Sequence, residues 1–385
     1  METATVFFKG FVRFFRDADM IILALGLASS IFGIILIGSS TANRPEEMGA
    51  VDVQTGAVVI GVAVFLLFTY IDIDLIADKS KLLVLFSVLF LATLPIWGEA
   101  EGDRQSWLRF FGIGVQPAEV VKVPFIIVIA KMIAVCKENR TLDSALSVIK
   151  ISIVFLIFVV AVFWFSQDLG TTAVYIGVFV IMMFTGGVKL RWFAVAAVVV
   201  TAVTPILWEN FLLERHRNRI MAPFFPDIVD PDRTGALWQS YLSIEAIATG
   251  GPFGQGLGNG VLTQGGRGVF PAQHTDFIFS VAGEELGFVG CIAIIALLIC
   301  IIIRCFYVGV RSNNPQGMLV CMGIGAMFIV HTIMNIGMAL GFLPVIGIPL
   351  PFISYGGSSI VTCFAAMGIV SGIKMRPKPA RFRHI

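Results

Sequence analysis

The chain has 385 residues, of which 57% are hydrophobic and 14% charged. So few charges cannot cover a water-soluble globule of this size, which makes the sequence that of an integral membrane protein. The net charge of +2 hides an uneven distribution of Lys and Arg, and no nucleic-acid partner is expected.

In chain order the first feature is "FFKGFVRFF", where Lys9, Arg13 and Arg16 recur at helical spacing among phenylalanines. That pattern predicts an interfacial helix over residues 1–19, lying on an anionic leaflet. No small-residue cleavage site follows a short apolar core, so the first span is expected to be retained. Ten apolar runs follow, at 20–38, 56–71, 82–97, 120–135, 148–165, 171–184, 192–207, 277–303, 318–342 and 352–373. Each should be helical, because lipid offers backbone groups no hydrogen-bonding partner. The expected fold is an all-α polytopic membrane protein with ten transmembrane helices in one domain spanning 1–385.

Placing the N-terminus in the cytoplasm puts most of the 27 Lys and Arg on that side, including the basic tail 374–385. The even number of spans returns the C-terminus there. The six cysteines then lie within spans or at their inner ends, where no extracellular disulfide is expected. The inner loops offer little beyond short basic turns. Most other polar chemistry falls outside, in segments 103–122, 166–172, 208–276 and 341–359. The large extracellular loop between spans 7 and 8, residues 208–276, is about 70 residues long, and loops of that length are usually functional. Within it "WQSYLSIEAIATGG" has helical periodicity and ends in paired glycines.

Glu119 and Lys122 are three apart and share a helix face at the outer end of the fourth span. They read either as a structural ion pair or as the lining of a polar cavity, since a charge facing lipid is costly. Asp168 directly follows the fifth span, and capping of the sixth helix would by itself explain it. Arg215, Arg217 and Arg219 in "ERHRNRI" read either as a solvated run or as an anion site, guanidinium forks being suited to phosphate. The run "GGPFGQGLGNG" lacks the phosphate-loop pattern and reads as a tight hairpin between loop helices. No spacing of the four histidines suggests a built-in metal site. His331 and Asn335, one turn apart, are expected to hydrogen-bond a neighbouring helix. Pro344, Pro349 and Pro351 exclude a continuous helix before "SYGGSS".

The run "HTDFIFSVAGEELGFVG" puts Asp276, Glu284 and Glu285 at the head of the eighth span. A straight helix over 277–303 would be about 40 Å long against a hydrocarbon core of about 30 Å. On that geometry the glutamates fall at the outer boundary and read as boundary or helix-packing residues. Asp276 would then stand about 12 Å above it, beside His274 and Thr275, as a helix cap or as a functional acid.

Together, "SWLRFFGIGVQPAEVVK", "DLGTT", "QHTDFIFSVAGEELGFVG" and "NIGMALGFLPVIGIPLPFISYGGSS" resemble the SEDS (shape, elongation, division, sporulation) family of bacteria, over most of the chain and in the same order. The "GIPLP" wording is closer to the elongation branch than to the division branch. The resemblance implies a peptidoglycan glycosyltransferase that polymerises lipid II on the outer face of the cytoplasmic membrane. It also implies a class B penicillin-binding protein as transpeptidase partner, within a set of elongation-complex membrane proteins. The family's essential acid falls on Asp276, and its cavity residues fall on Trp107, Gln116, Glu119, Lys122 and Asp168, with His274 in the same motif as Asp276. Gln105-Ser106 departs from the Arg frequent in relatives, so Arg104 or Arg109 would have to substitute.

In the mechanism this implies, Asp276 takes the proton of the acceptor 4-hydroxyl while Lys122 and one or more of Arg215, Arg217 and Arg219 stabilise the departing undecaprenyl diphosphate. Mg²⁺ or Mn²⁺ bridging the diphosphate oxygens is compatible with that step. The competing readings are a lipid II flippase, which would need a polar path through the bilayer, and a scaffold without chemistry, which would not need Asp276.

Overall fold

The structure, a computed structural model, describes residues 16–47, 49–101, 104–110, 113–210, 212–235, 237–265 and 270–376. Nearly all of the expected interfacial helix and most of the basic tail lie outside the described residues, as do the side chains of Arg104 and Arg215.

The apolar runs are helices: α1 (Met20–Thr41), α2 (Ala50–Tyr70), α3 (Ser80–Leu91), α5 (Lys122–Glu138), α6 (Ala145–Ser166), α7 (Leu169–Gly186), α8 (Leu190–Asn210), α12 (Ile278–Arg311), α13 (Pro315–Ala339) and α14 (Gly357–Met375). Shorter helices lie between them: α4 (Pro117–Val120), α9 (Glu214–Met221), α10 (Trp238–Gly250) and α11 (Val261–Gln264). Among the described residues nine helices are long and apolar enough to cross a membrane, the third being α3 continued through Trp97. The 17-residue α5, extended at its start by α4, supplies the tenth crossing. The protein is a helical multi-pass membrane protein.

Caps mark the starts that the sequence pattern implies. Ser144 accepts from Ser147 N at 3.2 Å at the head of α6, and Asn314 accepts from Gln316 N at 3.1 Å before Pro315 opens α13. Asp19 N donates to Ser371 Oγ at 2.9 Å, and Lys374 Nζ donates to Ala18 O at 3.1 Å. The start of α1 and the end of α14 therefore meet at one end of the bundle, as an even number of crossings requires. Helices α13 and α14 are the most deeply buried spans, whereas α8 buries none of its apolar stretch and stands at the periphery.

Two features differ from the sequence reading. The first is a small antiparallel sheet, β1 (Glu99–Glu101), β2 (Arg104–Phe110) and β3 (Ile113–Val115), in order β1-β2-β3. It pairs Glu99 with Trp107 and Arg109 with Gly114, in a segment read only as a loop.

The second concerns the eighth span. It is not one straight helix, because Gly287 has φ 69° and ψ −163° and breaks α12. The glycine-rich segment after α10 fills the break: Gln255 N donates to Glu284 O at 2.9 Å and Gly256 N to Glu285 O at 3.0 Å. Beyond the break, Phe288 N donates to Gly251 O at 2.9 Å. The hairpin thus satisfies backbone groups that a helix break would leave bare in an apolar setting.

Glu284 and Glu285 are fully buried, as the helix-packing reading of the pair expects. Glu284 accepts from Leu262 N at 2.7 Å and Thr263 N at 2.8 Å, while Glu285 accepts from Ser39 Oγ and Gln264 Nε2. They tie α11 and α1 to α12. The height inferred for Asp276 falls with the straight helix. Asn335, four residues and about 6 Å from the end of α13, donates to Asp276 O at 2.8 Å, so Asp276 lies at the level of the helix ends.

Candidate functional site

At the end of the bundle opposite the described termini lies a cavity of about 1260 Å³. Trp107, Gln116, Asp168, Arg219, His274 and Asp276, scattered over 170 positions of sequence by their numbering, all line it. Glu46, Glu47, Arg109, His216, Tyr355 and Ser359 line it too, and one flank is apolar, formed by Phe163, Trp164 and Leu213. Trp164 is 73% exposed on the helix surface, as an aromatic side chain near a membrane interface can be.

Asp276 lies in the turn that precedes α12. The N-cap position of that helix is held by Phe277. Asp276 N donates to Ala272 O at 3.0 Å, and a Cβ on Gly347 would lie 3.3 Å from Asp276 Oδ2. Gly347 has φ +72°, a conformation that suits glycine and brings the 345–349 loop against the carboxylate.

Beside it, His274 Nδ1 lies 3.3 Å from Glu47 Oε2, and the His274 ring tilts against Tyr355 at 5.3 Å. Glu47 is in turn reached by Arg44, buried at 3% exposure, whose Nη2 donates to Phe270 O at 2.8 Å. Burial raises the Tyr355 phenol above its ordinary range, Arg109 opposing and Glu47 adding to the shift, so it stays a hydrogen-bond donor at neutral pH.

Asp168 is both cap and wall. Its Oδ1 accepts from Gly170 N at 2.9 Å and Thr171 N at 3.2 Å, while Oδ2 accepts from Thr171 Oγ1 at 2.8 Å and Gln116 Nε2 at 3.2 Å. Glu119 and Lys122 form an ion pair, but at 3% and 2% exposure they lie beneath the cavity and are not part of its lining. Lys122 Nζ also lies 2.7 Å from His331 Nε2. The sequence reading that Lys122 itself touches a phosphate is not what this arrangement offers, because its ammonium is already enclosed by protein groups.

The arginine run folds as α9, which separates its members. His216 and Arg219, three apart, face the cavity; Arg217 turns away, donating from Nε to Leu212 O at 2.9 Å. Arg215 lies outside the described side chains. Arg109 on β2 lines the cavity and pairs with Glu99 at 3.1 Å, so of the two arginines offered as substitutes it is the one seen at the site.

Arg44, Glu46, Glu47 and Tyr355 were not singled out from sequence. The signal was present in "NRPEE", a charge-dense loop in a chain poor in charge. His331 and Asn335 were noticed, but they bind the 345–349 loop and Asp276 rather than only a neighbouring helix.

The fold and the cavity define a helical multi-pass membrane protein with a polar, partly cationic cavity at one end of its bundle. Residues 19–378 match the family described as "Cell cycle protein", that of FtsW, RodA and SpoVE, and the chain belongs to this family. It is 32% identical over 362 residues to the probable peptidoglycan glycosyltransferase FtsW of Bacillus subtilis, covering 89% of this chain and 87% of that one. It is 29% identical over 363 residues to the peptidoglycan glycosyltransferase MrdB of Escherichia coli K12, covering 94% of each. Among solved structures, one described as structural coordination of polymerization and crosslinking by a peptidoglycan synthase complex matches with a TM-score of 0.77 and 25% identity, over 94% of this chain and 98% of that one. The rod shape determining protein RodA of Thermus thermophilus shares the fold, with a TM-score of 0.66 and 22% identity, over 93% and 96% of the two chains.

Proposed function

We propose that the cavity is where this peptidoglycan glycosyltransferase joins lipid-linked disaccharides, with Asp276 as general base. The acceptor is the 4-hydroxyl of GlcNAc on one lipid II molecule and the donor is C1 of MurNAc on another chain end. Asp276 accepts the hydroxyl proton as that oxygen forms its bond to C1, and the C1–oxygen bond to the undecaprenyl diphosphate breaks. Direct displacement inverts the α-linked donor to a β-1,4 product. The diphosphate leaves with its charge, and Arg219 and Arg109, which both line the cavity, stabilise it. Glu119 and Lys122 act from beneath through His331.

The observation that carries this reading is the meeting of Asp276, two arginines and the apolar side chains of Phe163, Trp164 and Leu213 around one cavity. Its volume of about 1260 Å³ exceeds that of an ordinary small-molecule pocket, roughly 300–1,000 Å³. A divalent ion, Mg²⁺ or Mn²⁺, would enter with the diphosphate. Among the described residues no three His, Cys, Asp or Glu side chains form a metal site, so phosphate oxygens would supply most of its ligands.

On this reading the cavity end faces the outside of the bacterial cytoplasmic membrane and the described termini face the cytoplasm. The partner is a class B penicillin-binding protein that crosslinks the product, within the elongation machinery. The test is reconstitution with lipid II accessible to the cavity face. Glycan strands longer than the input disaccharide are expected, with no transfer of lipid II between leaflets; translocation without polymer would favour a flippase, and neither activity a scaffold.

A further inference from the structure

Asn335 on α13 is fully buried, one turn from His331. Its amide nitrogen carries two hydrogens and meets two carbonyl oxygens, Asp276 O at 2.8 Å and Ile348 O at 2.7 Å. One side chain thereby fastens the turn that carries Asp276 to the loop that borders the carboxylate. Next to Ile348 in that loop is Gly347, whose backbone approaches Asp276 Oδ2. Its other neighbour, Pro349, has its carbonyl 3.2 Å from His331 Nδ1. A carbonyl only accepts, so Nδ1 carries the imidazole proton and Nε2 receives a hydrogen from Lys122, 2.7 Å away.

We propose that Asn335 is a positioning residue for glycosyl transfer, holding the Asp276 carboxylate at its place beside Gly347. The inference rests on Asp276 being the base. Asp276 precedes the first residue of α12 and sits in a turn, so the helix ladder does not fix it. From outside the turn Tyr355 N donates to His274 O at 2.9 Å, and the Asn335 amide is the tie made to Asp276 O itself. A base must be held to a fraction of an ångström of its productive place, and a shift of about 1 Å can lower a rate by about 100-fold. Leucine at position 335 would keep the volume and remove both donors.

The test measures kcat and KM per folded molecule in lipid II polymerisation for Asn335→Leu, Asn335→Ser and Asp276→Asn. Asn335→Leu is expected to lower kcat by roughly 10–100-fold with KM within about twofold, the signature of an interaction that matters in the transition state. Asn335→Ser, which keeps one short donor, should fall between it and the unsubstituted protein and covers the case in which the leucine variant does not fold. A purely structural role would reduce the amount of folded protein and leave kcat unchanged. A kcat within about twofold of the parent in both folded variants, or a raised KM at constant kcat, overturns the proposal. If Asp276→Asn is inactive while Asn335→Leu keeps its kcat, only the positioning role fails. If Asp276→Asn polymerises normally, the base assignment fails and this inference with it.

Discussion

The two ends of the bundle use the same kinds of residue to opposite effect. At the end away from the cavity the polar groups close on one another. Asp19, fully buried, caps α1 and accepts from Arg304 Nε at 2.8 Å, with Lys374 Nζ 3.9 Å away. Asp74 accepts from Asn314 and Gln316, and the Arg376 guanidinium donates to the carbonyls of Thr69, Tyr70 and Ile71. At the cavity end, Asp168, Glu47, His274 and Asp276 are held by neighbours on one side and border about 1260 Å³ of space on the other. A polar group enclosed on all sides fixes helices, whereas one held firmly beside open volume can meet a substrate.

The sharpest way to break this contrast is at Lys122. Lys122→Met leaves Glu119 as a buried carboxylate without its cation, and unfolding should require about 3–5 kcal/mol less free energy. Adding Glu119→Leu should restore much of that loss, read by thermal unfolding in detergent. Equal stability of Lys122→Met and the parent would remove the buried pair as a structural element. At the other end, Asp19→Asn should lower stability by about 1–3 kcal/mol, since Arg304 loses a buried charged acceptor, while polymerisation per folded molecule stays at the parent rate. A fall in specific activity there would mean that the two ends are coupled.

The smallest effect separates two arginines of one helix. Arg219→Ala should raise KM for lipid II by about 3–10-fold, tenfold being about 1.4 kcal/mol, without changing the melting temperature. Arg217→Ala, whose guanidinium is already bonded to Leu212 O, should change KM by less than about twofold. Equal effects at the two positions would show that α9 does not sort them.

Much of the fold was legible because apolar runs are the local signature of spans, and all ten runs became helices or most of one. The break at Gly287 was hidden, because hydropathy stays high across it and the partners that satisfy it come from residues 251–256. For Glu284 and Glu285 a packing role was legible but its partners were not, because Ser39, Thr263 and Gln264 are brought to them by tertiary structure. At the site, Asp276, His274, Asp168, Gln116 and Trp107 were named from motif resemblance, and the cavity gathers them. Arg219 could have been separated from Arg217 by helical periodicity across 214–221, since positions 216 and 219 share a face. The role of Asn335 could not be read, because its two acceptors lie 59 and 13 positions away, brought near by tertiary structure alone.

The most direct test of Asp276 as base is the polymerisation rate of purified, folded Asp276→Asn protein with lipid II. Asparagine keeps the shape and removes the proton acceptor, so the rate should fall by about 10²–10⁴-fold while lipid II binding persists. A folded variant that polymerises lipid II at a rate close to that of the parent would contradict the assignment.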